Sequence, residues 1–407
     1  MNTIQGNRNP FPIILVAIAT FGMTVSVSGY GIFVYLLIAL LLQSGIDLQK
    51  KLPQQIETTD AWLYFYYAII YFICTLFNGD GDMGRNSLIV NYMVCILIFS
   101  VISREFKSNA DIDKMANVLW ALVLLDCTVT IMQYHNNTLG WGIWYFFNDA
   151  KTVEQAGIVD SLDAGSQILG RNHLFCPGIF PSQVYNGYMV GALSAIALYK
   201  LQNAKTLLQR LTGMLSLLLI AYSLVVIQQR MAFFLFIFVF IAMMYSRSKL
   251  MTWLIAVGLL AVYLLYGIDV GENQLGRLVD LEDKTREHLY SNGIDYVFSH
   301  FWVGGRQEFM VQNSLSVHNI FLNAFMYGGI LGAALIIAIY LRMCIASVKV
   351  IVKSFSDRIT RPVGFAYALL IYNLISLTHN NSLLTGDPII WVLYALMLLS
   401  LKYEKQQ

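Results

Sequence analysis

Long apolar runs alternate with short polar segments along almost the whole chain. About twelve of these runs are long enough for a helix to cross the hydrocarbon core of a bilayer. We therefore predict one polytopic membrane domain over 1–407, all-α in fold class, with both termini in the cytoplasm. The predicted spans are 11–27, 30–44, 61–78, 87–103, 115–134, 184–200, 211–227, 231–246, 250–268, 318–341, 363–379 and 387–402.

The composition agrees with this pattern and excludes several other classes of protein. Hydrophobic residues make up 57% of the chain and charged residues 12%, so soluble structure is confined mainly to the two longer predicted outer loops, 135–183 and 269–317. No basic stretch is interleaved with aromatic residues, so we expect no nucleic-acid partner. The five cysteines are scattered without a CxxC pair, which argues against a disulfide framework or a zinc site.

The distribution of basic residues sets the predicted orientation. With the N-terminus inside, eighteen of the 26 Lys and Arg residues fall on the cytoplasmic side, most clearly in the predicted inner loop 342–362, as the positive-inside rule expects. Because positive charge is disfavoured on the outer side, we expect several of the remaining eight to bind a polyanion there. These eight are Arg85, Lys151, Arg171, Arg230, Arg277, Lys284, Arg286 and Arg306.

Asp126 is the one ionisable residue that lies well inside a predicted span. An isolated carboxylate at membrane depth indicates a functional group by default. The alternative is a neutral or hydrogen-bonded residue whose partner is a Thr, Gln or Tyr of the bundle. A proton-coupled transporter would normally carry more such groups. Proline lies at loops and span ends, so we predict mostly unbroken helices, and both features argue against transport.

Four polar clusters fall at the predicted outer ends of spans. The first is Arg171 with the following PGIFPSQVYNGY stretch, and the second is the tight turn 228–230, which ends in Arg230. The third is Arg286 with Gly-Gly-Arg at 304–306, and the fourth is His-Asn at 318–319, where the tenth span is predicted to begin.

These clusters supply the chemistry of phosphate binding and proton transfer. Guanidinium groups bind phosphate oxygens in bidentate fashion, and an imidazole takes a proton near neutral pH. A helix that begins at His318 would also direct free N–H groups toward an anion. Such a site can bind a diphosphate, stabilise it as it departs and deprotonate an incoming hydroxyl. No His, Asp and Glu cluster has metal-ligand spacing, so we predict no catalytic metal and no cofactor.

Each of these residues also has a simpler structural interpretation. A loop arginine often pairs with a neighbouring carboxylate, which for Arg306 would be Glu308. His318 can cap its helix together with Asn319. Arg230 has no acidic neighbour in its turn, which favours a functional role for this residue.

Taken in this order, the four clusters resemble the O-antigen ligase and O-antigen polymerase family of bacterial inner-membrane glycosyltransferases. The resemblance covers roughly residues 165–335 and extends to the span count and topology, and its most specific element is His-Asn at 318–319. Two departures occur: Gln228 and Gln229 stand where a small or hydroxyl residue commonly precedes the arginine, and Gly-Gly-Arg at 304–306 replaces the usual Gly-x-Gly.

The resemblance implies a metal-independent enzyme that takes an undecaprenyl-diphosphate-linked glycan at the periplasmic face of the bacterial inner membrane. Arg230 and Arg286 would clamp the diphosphate, and His318 would activate or orient the acceptor hydroxyl. Donor or acceptor binding would also involve Arg171, Asn319 and Arg306. The implied partners are membrane lipids, a glycan or lipid A–core acceptor and a chain-length regulator protein.

Three alternatives stay open from the sequence. A polymerase would extend a chain on another lipid-linked repeat unit, whereas a ligase would transfer the chain to lipid A–core; we favour the polymerase because such chains are the more numerous and diverse group. A flippase for the same lipid-linked sugars is an alternative outside the enzymes. The last alternative is a structural subunit of a polysaccharide export complex.

Overall fold

Apolar runs without interior proline form the helices of this protein, since backbone polar groups in a bilayer must find partners within the chain. The computed structural model describes residues 10–22, 26–27, 30–78, 82–148, 176–227, 229–245, 284–313, 317, 319–353, 361–377 and 383–406. Its helices are α1 (Phe11–Phe21), α2 (Ile32–Gln49), α3 (Thr59–Asn78), α4 (Asp82–Glu105), α5 (Asn109–Tyr134), α6 (Thr138–Phe147), α7 (Gln183–Gln202), α8 (Leu207–Ile227), α9 (Arg230–Tyr245), α10 (Lys284–Ser299), α11 (Arg306–Asn313), α12 (Ile320–Lys353), α13 (Arg361–Ser376) and α14 (Pro388–Glu404). A two-residue antiparallel pairing joins β1 (Ser26–Val27) to β2 (Tyr30–Gly31) between α1 and α2.

Helices lie over most of the predicted spans that the structure describes. The first span, predicted over 11–27, is wrong in extent, because α1 ends at Phe21 and β1 follows at Ser26–Val27. The predicted span 250–268 lies outside the described residues. Within the described part, six helices are long and apolar enough to cross a membrane: α2, α3, α4 from Asn86 onward, α5, α8 and α12. The protein is therefore helical, with the character of a multi-pass membrane protein, and the figure of twelve spans stays a prediction.

Three helices, α7, α13 and α14, form the centre of the bundle. Every residue from Tyr185 to Leu198 of α7 is buried, and α13 and α14 are buried along nearly their whole length. Helices that are apolar on all sides are expected in such positions. The helices around them have an exposed apolar face, as shown by Leu42 of α2 and Leu218 of α8, which are 65% and 66% exposed. Such faces suit contact with lipid.

Helix α12 is interrupted at Gly328 and Gly329, so the prediction of unbroken spans is wrong for this helix. Gly328 leaves helical geometry, and Gly329 adopts a φ of +57°, a conformation that favours glycine. The helix also begins at Ile320 and continues to Lys353, through much of the segment predicted as an inner loop.

The α10–α11 segment packs against α12 at this interruption. The N–H of Gly305 donates to the C=O of Met326 at 3.0 Å, and the N–H of Ile330 donates to the C=O of Phe301 at 2.9 Å. Backbone groups freed by the break are thus paired across the contact. The predicted loops at 269–317 and 135–183 therefore contain helices of their own, α10 and α11 in the first and α6 in the second.

After α13 the chain turns back into the bundle. A 3₁₀ turn at Leu383–Thr385 lies buried between α3 and α4. The C=O groups of Leu383 and Leu384 accept hydrogen bonds from the hydroxyls of Tyr64 and Tyr92, each at 2.5 Å. The predicted spans 363–379 and 387–402 place this segment in a short turn on the outer side. Its buried position is tolerable because side-chain hydroxyls satisfy the irregular backbone.

Asp126 is not the only carboxylate buried in the described part of the bundle, although it is still the one that lies well inside a predicted span. Asp387 is 1% exposed and accepts hydrogen bonds from Tyr372 at 2.6 Å and Thr385 at 3.2 Å. Asp47 is also buried. A carboxylate at the edge of a predicted span can thus lie deep when the chain re-enters the bundle.

Ion pairs mark the end of the bundle where α5 and α13 begin. Arg361 makes a bidentate pair with Asp113, at 2.7 and 2.9 Å. Asp60 binds Arg342 at 2.5 Å and also accepts a hydrogen bond from Tyr394 at 2.6 Å. We call this the Arg361 end and the opposite end, where α7, α9 and α12 begin, the Arg230 end. The Arg361 end is the side predicted to be cytoplasmic.

A substitution at Gly329 tests the contact between α12 and the α10–α11 segment. A methyl group there would lie 2.0 Å from the carbonyl oxygen of Trp302, and the φ of +57° would strain any other residue. We expect Gly329→Ala to destabilise the protein by about 2–4 kcal/mol, measured as a lower Tm in detergent. Gly45→Ala is the matched control, since no atom lies within 4 Å of its added methyl group. Equal Tm values for both variants would contradict this description of the break.

Candidate functional site

Three helices begin close to one another at the Arg230 end. Helix α7 begins at Gln183, whose carboxamide donates a hydrogen bond to the C=O of Ile227, the last residue of α8. Helix α9 begins at Arg230. Helix α12 begins at Ile320, whose N–H donates to the C=O of Leu377, just beyond α13, at 3.4 Å. The end of α13 thus lies beside the start of α12.

The start of α9 also lies near the end of α13, since residues of both helices pack against Gly191 of α7. A Cβ atom built on Gly191 would lie 3.0 Å from the Cβ of Ala232 and 3.3 Å from the Cδ1 of Ile375. Ala232 lies two residues after Arg230, and Ile375 lies two residues before Leu377. The starts of α9 and α12 therefore share the end of α13, which brings Arg230 and Asn319 to one region of the molecule.

This arrangement favours an anion. The N-terminal end of a helix carries a partial positive charge and N–H groups that lack intrahelical partners. Two such ends lie beside the end of α13, and Arg230, which is half-buried, adds a full positive charge. Helix starts of this kind bind phosphate groups in many proteins.

Asn319 caps helix α12. Its side-chain oxygen accepts hydrogen bonds from the N–H groups of Phe321 and Leu322, at 2.9 and 3.1 Å, as an N-cap residue does. The helix was predicted to begin at His318 and begins two residues later. Asn319 thus has the capping role that was proposed for it together with His318. The role of Asn319 in binding donor or acceptor stays a prediction.

Arg306 lies apart from Arg230 and Asn319. Its guanidinium carbon is 4.9 Å from the centre of the Tyr327 ring, roughly 12 Å along α12 from Asn319 at the usual helical rise. Its Nε is buried without a hydrogen-bond partner in the described part of the chain. The predicted alternative was a pair with Glu308, but Glu308 accepts a hydrogen bond from Tyr296 at 3.1 Å and lies 3.5 Å from His300.

Three of the other predicted site residues cannot be placed in the site. Arg171 and His318 lie outside the described residues. Arg286 lies in the first turn of α10, and its side chain falls outside the described part. The roles predicted for these residues stay predictions.

The loop that enters α7 is held in place by α5. The N–H of Ile179 donates to Asp126 at 2.8 Å, and Gln133 both donates to the C=O of Gly178 at 2.8 Å and accepts from its N–H at 2.9 Å. Gly178 has a φ of +65°, and a methyl group there would lie 2.0 Å from Asp126. The alternative to a functional role for Asp126 was a hydrogen bond to a Thr, Gln or Tyr side chain of the bundle. Asp126 does make a structural hydrogen bond, but its partner is the backbone N–H of Ile179.

Other residues of this loop are also structural. The carboxamide of Asn186 donates to the hydroxyl of Thr130 at 2.8 Å and to the C=O of Cys176 at 3.1 Å. Burial raises the pKa of the Cys176 thiol to about 12, so this thiol stays protonated at neutral pH and is a poor nucleophile. Among the described residues, no group of three or more His, Cys, Asp or Glu is placed to hold a metal ion.

Comparison with known proteins adds no family assignment. No protein-family model matches the chain, and no curated protein matches it.

The structural role of Asp126 can be tested with two substitutions. Asp126→Asn keeps an oxygen that accepts from Ile179, so we expect a Tm close to that of the wild type. Asp126→Leu removes the acceptor and leaves the N–H buried, which should destabilise the protein by about 1–3 kcal/mol. Thermal unfolding in detergent measures both. If Asp126→Asn folds normally but abolishes the activity proposed below, Asp126 has a chemical role instead.

Proposed function

We propose that this protein is a membrane glycosyltransferase that polymerises undecaprenyl-diphosphate-linked glycan repeat units at the periplasmic face during O-antigen or surface polysaccharide synthesis. The observation that carries the proposal is that the starts of α9 and α12 both lie beside the end of α13, with Arg230 at the first position of α9. A diphosphate needs positive charge and N–H donors in one place, and this region offers both.

An apolar path for the lipid tail begins at the same residue. Phe234 and Phe238 follow Arg230 at intervals of four residues, so all three lie on one face of α9. These two rings are 41% and 59% exposed. A lipid whose diphosphate contacts Arg230 can therefore lay its tail along this face, in contact with both rings within the bilayer.

The proposed reaction is a displacement at the anomeric carbon of the donor. His318 accepts the proton of the acceptor hydroxyl, and the hydroxyl oxygen forms a bond to the anomeric carbon. The bond between that carbon and the diphosphate oxygen breaks, and undecaprenyl diphosphate leaves with the electron pair. Arg230 and Arg286 stabilise the negative charge on the leaving group. The configuration inverts, a step assigned by analogy with the family that the sequence resembles.

A flippase for the same lipid is the second candidate function, because two observations favour it. Helix α12 is broken at Gly328 and Gly329, and Asp387 is buried within the bundle; such features line the pathways of many transporters. Both are, however, locally satisfied. The break is paired with the α10–α11 segment, and Asp387 accepts bonds from two hydroxyls.

Substitutions at the Arg230 end test the enzymatic proposal. We expect Arg230→Ala to lower product formation at least about 100-fold, since one lost charge-stabilising group typically costs this much. Arg230→Lys should restore part of the activity because it keeps the charge but not the planar fork. His318→Ala should lower the rate comparably through loss of the base. The measurement is the length and amount of glycan on a gel.

Arg210→Ala is the matched control, since Arg210 is exposed near the start of α8, at the opposite end of that helix from Arg230. It should leave the glycan unchanged. Wild-type glycan in both Arg230→Ala and His318→Ala would refute the enzymatic proposal.

Incubation in detergent distinguishes the three activities. Purified protein with lipid-linked repeat units alone should give longer chains, because a polymerase needs no other substrate. Unchanged chains that become attached to lipid A–core once it is added would indicate a ligase. A flippase moves its lipid between leaflets and forms no covalent bond, so it would give no covalent product under either condition.

A further inference from the structure

Gln229 is a buried residue whose polar side chain has no partner among the described residues. It immediately precedes α9 and is 8% exposed. Within that part of the chain, neither the oxygen nor the nitrogen of its carboxamide makes a hydrogen bond. Such a group lowers stability, because it gives up its bonds to water on folding and gains none in return. A ligand that supplies the missing bonds would explain why this position carries a carboxamide.

The position of Gln229 contrasts with those of the residues that precede α7 and α12. Ser182 caps α7 by accepting from the N–H of Tyr185 at 3.1 Å, and Asn319 caps α12. Gln229 occupies the N-cap position of α9, since its C=O accepts from the N–H of Phe233 at 3.1 Å. Its side chain nevertheless makes no capping bond.

The carboxamide of Gln229 packs against α7 instead. A methyl group at Gly187 would lie 1.7 Å from its Oε1, so the absence of a side chain at Gly187 makes room for this amide. The amide thus lies between α7 and α9, one residue from Arg230. Because a glutamine side chain has several rotatable bonds, the amide can swing from Gly187 toward the first turn of α9.

We propose that Gln229 is a specificity-determining residue that binds hydroxyl groups of the sugar attached to the lipid diphosphate. The inference rests on the proposed function, in which Arg230 holds the diphosphate. A carboxamide offers an acceptor oxygen and two N–H donors, which complement neighbouring sugar hydroxyls and carry no net charge to attract the phosphates themselves. The first sugar is bonded directly to the diphosphate, so a residue adjacent to Arg230 is well placed to contact it.

A binding experiment separates this role from that of Arg230. Two probes are used with the purified full-length protein: undecaprenyl diphosphate, and the same lipid with one sugar attached. We expect the wild type to bind the sugar-bearing lipid more tightly. Gln229→Met should lose about tenfold or more of that preference, as expected for a lost hydroxyl contact. Its affinity for undecaprenyl diphosphate should change by less than about twofold. Arg230→Ala should weaken the binding of both lipids.

Thermal stability provides the second measurement. Methionine resembles glutamine in length and has no polar group to satisfy, so Gln229→Met should keep or raise the Tm. Gln183→Met is the matched control, because the carboxamide of Gln183 donates to Ile227 and its loss should lower the Tm.

The outcomes distinguish the inference from the proposed function. If Gln229→Met keeps the wild-type preference for the sugar-bearing lipid, or lowers the Tm and weakens both lipids alike, the inference is wrong and the proposed function stands. If Arg230→Ala binds both lipids as the wild type does, the proposed function itself is wrong.

Discussion

The structure depends on one constraint: in hydrocarbon, a backbone polar group has no water to bind and must find its partner within the chain. Three irregular segments meet this demand in different ways. Tyrosine hydroxyls satisfy the turn that begins at Leu383, and Gln133 satisfies the loop at Gly178. The backbone of the α10–α11 segment pairs with the break in α12. Each irregularity thus has a specific, local partner that fixes it in one conformation.

The consequence for function lies at the Arg230 end of the bundle. At the opposite end, Arg361 pairs with Asp113 and Arg342 pairs with Asp60. At the Arg230 end, the starts of α9 and α12 gather beside the end of α13, and the N-terminal ends of helices add to the charge of Arg230. A rigid frame at this end would hold such groups in place before an anionic ligand arrives, which lowers the free-energy cost of ordering them.

Much of the fold follows from the sequence because the period and length of apolar runs directly reflect the bilayer requirement. The long helices lie near the runs that predict them, although α1 is shorter than its predicted span and α6, α10 and α11 lie in predicted loops. The break at Gly328 and Gly329 was missed because two glycines in an apolar run are compatible with a helix unless a partner such as the 301–305 backbone binds there. Buried Asp387 was missed for a similar reason, since hydropathy cannot show that a chain turns back into the bundle.

The candidate site was less predictable. The sequence identifies Arg230 and Asn319 as outer polar residues. They lie in one region because of packing at Gly191 and Ile375, and these two residues have no chemical feature that would predict it. Arg306 illustrates the opposite case: the sequence left open an ion pair with Glu308 as the alternative to a binding role, whereas docking of α11 on α12 places the guanidinium over Tyr327. Tertiary packing decided both outcomes. The decisive measurement is a structure determined with undecaprenyl diphosphate bound. We expect the diphosphate to lie beside the starts of α9 and α12, within hydrogen-bond distance of Arg230; a diphosphate bound at the Arg361 end would refute the proposed function.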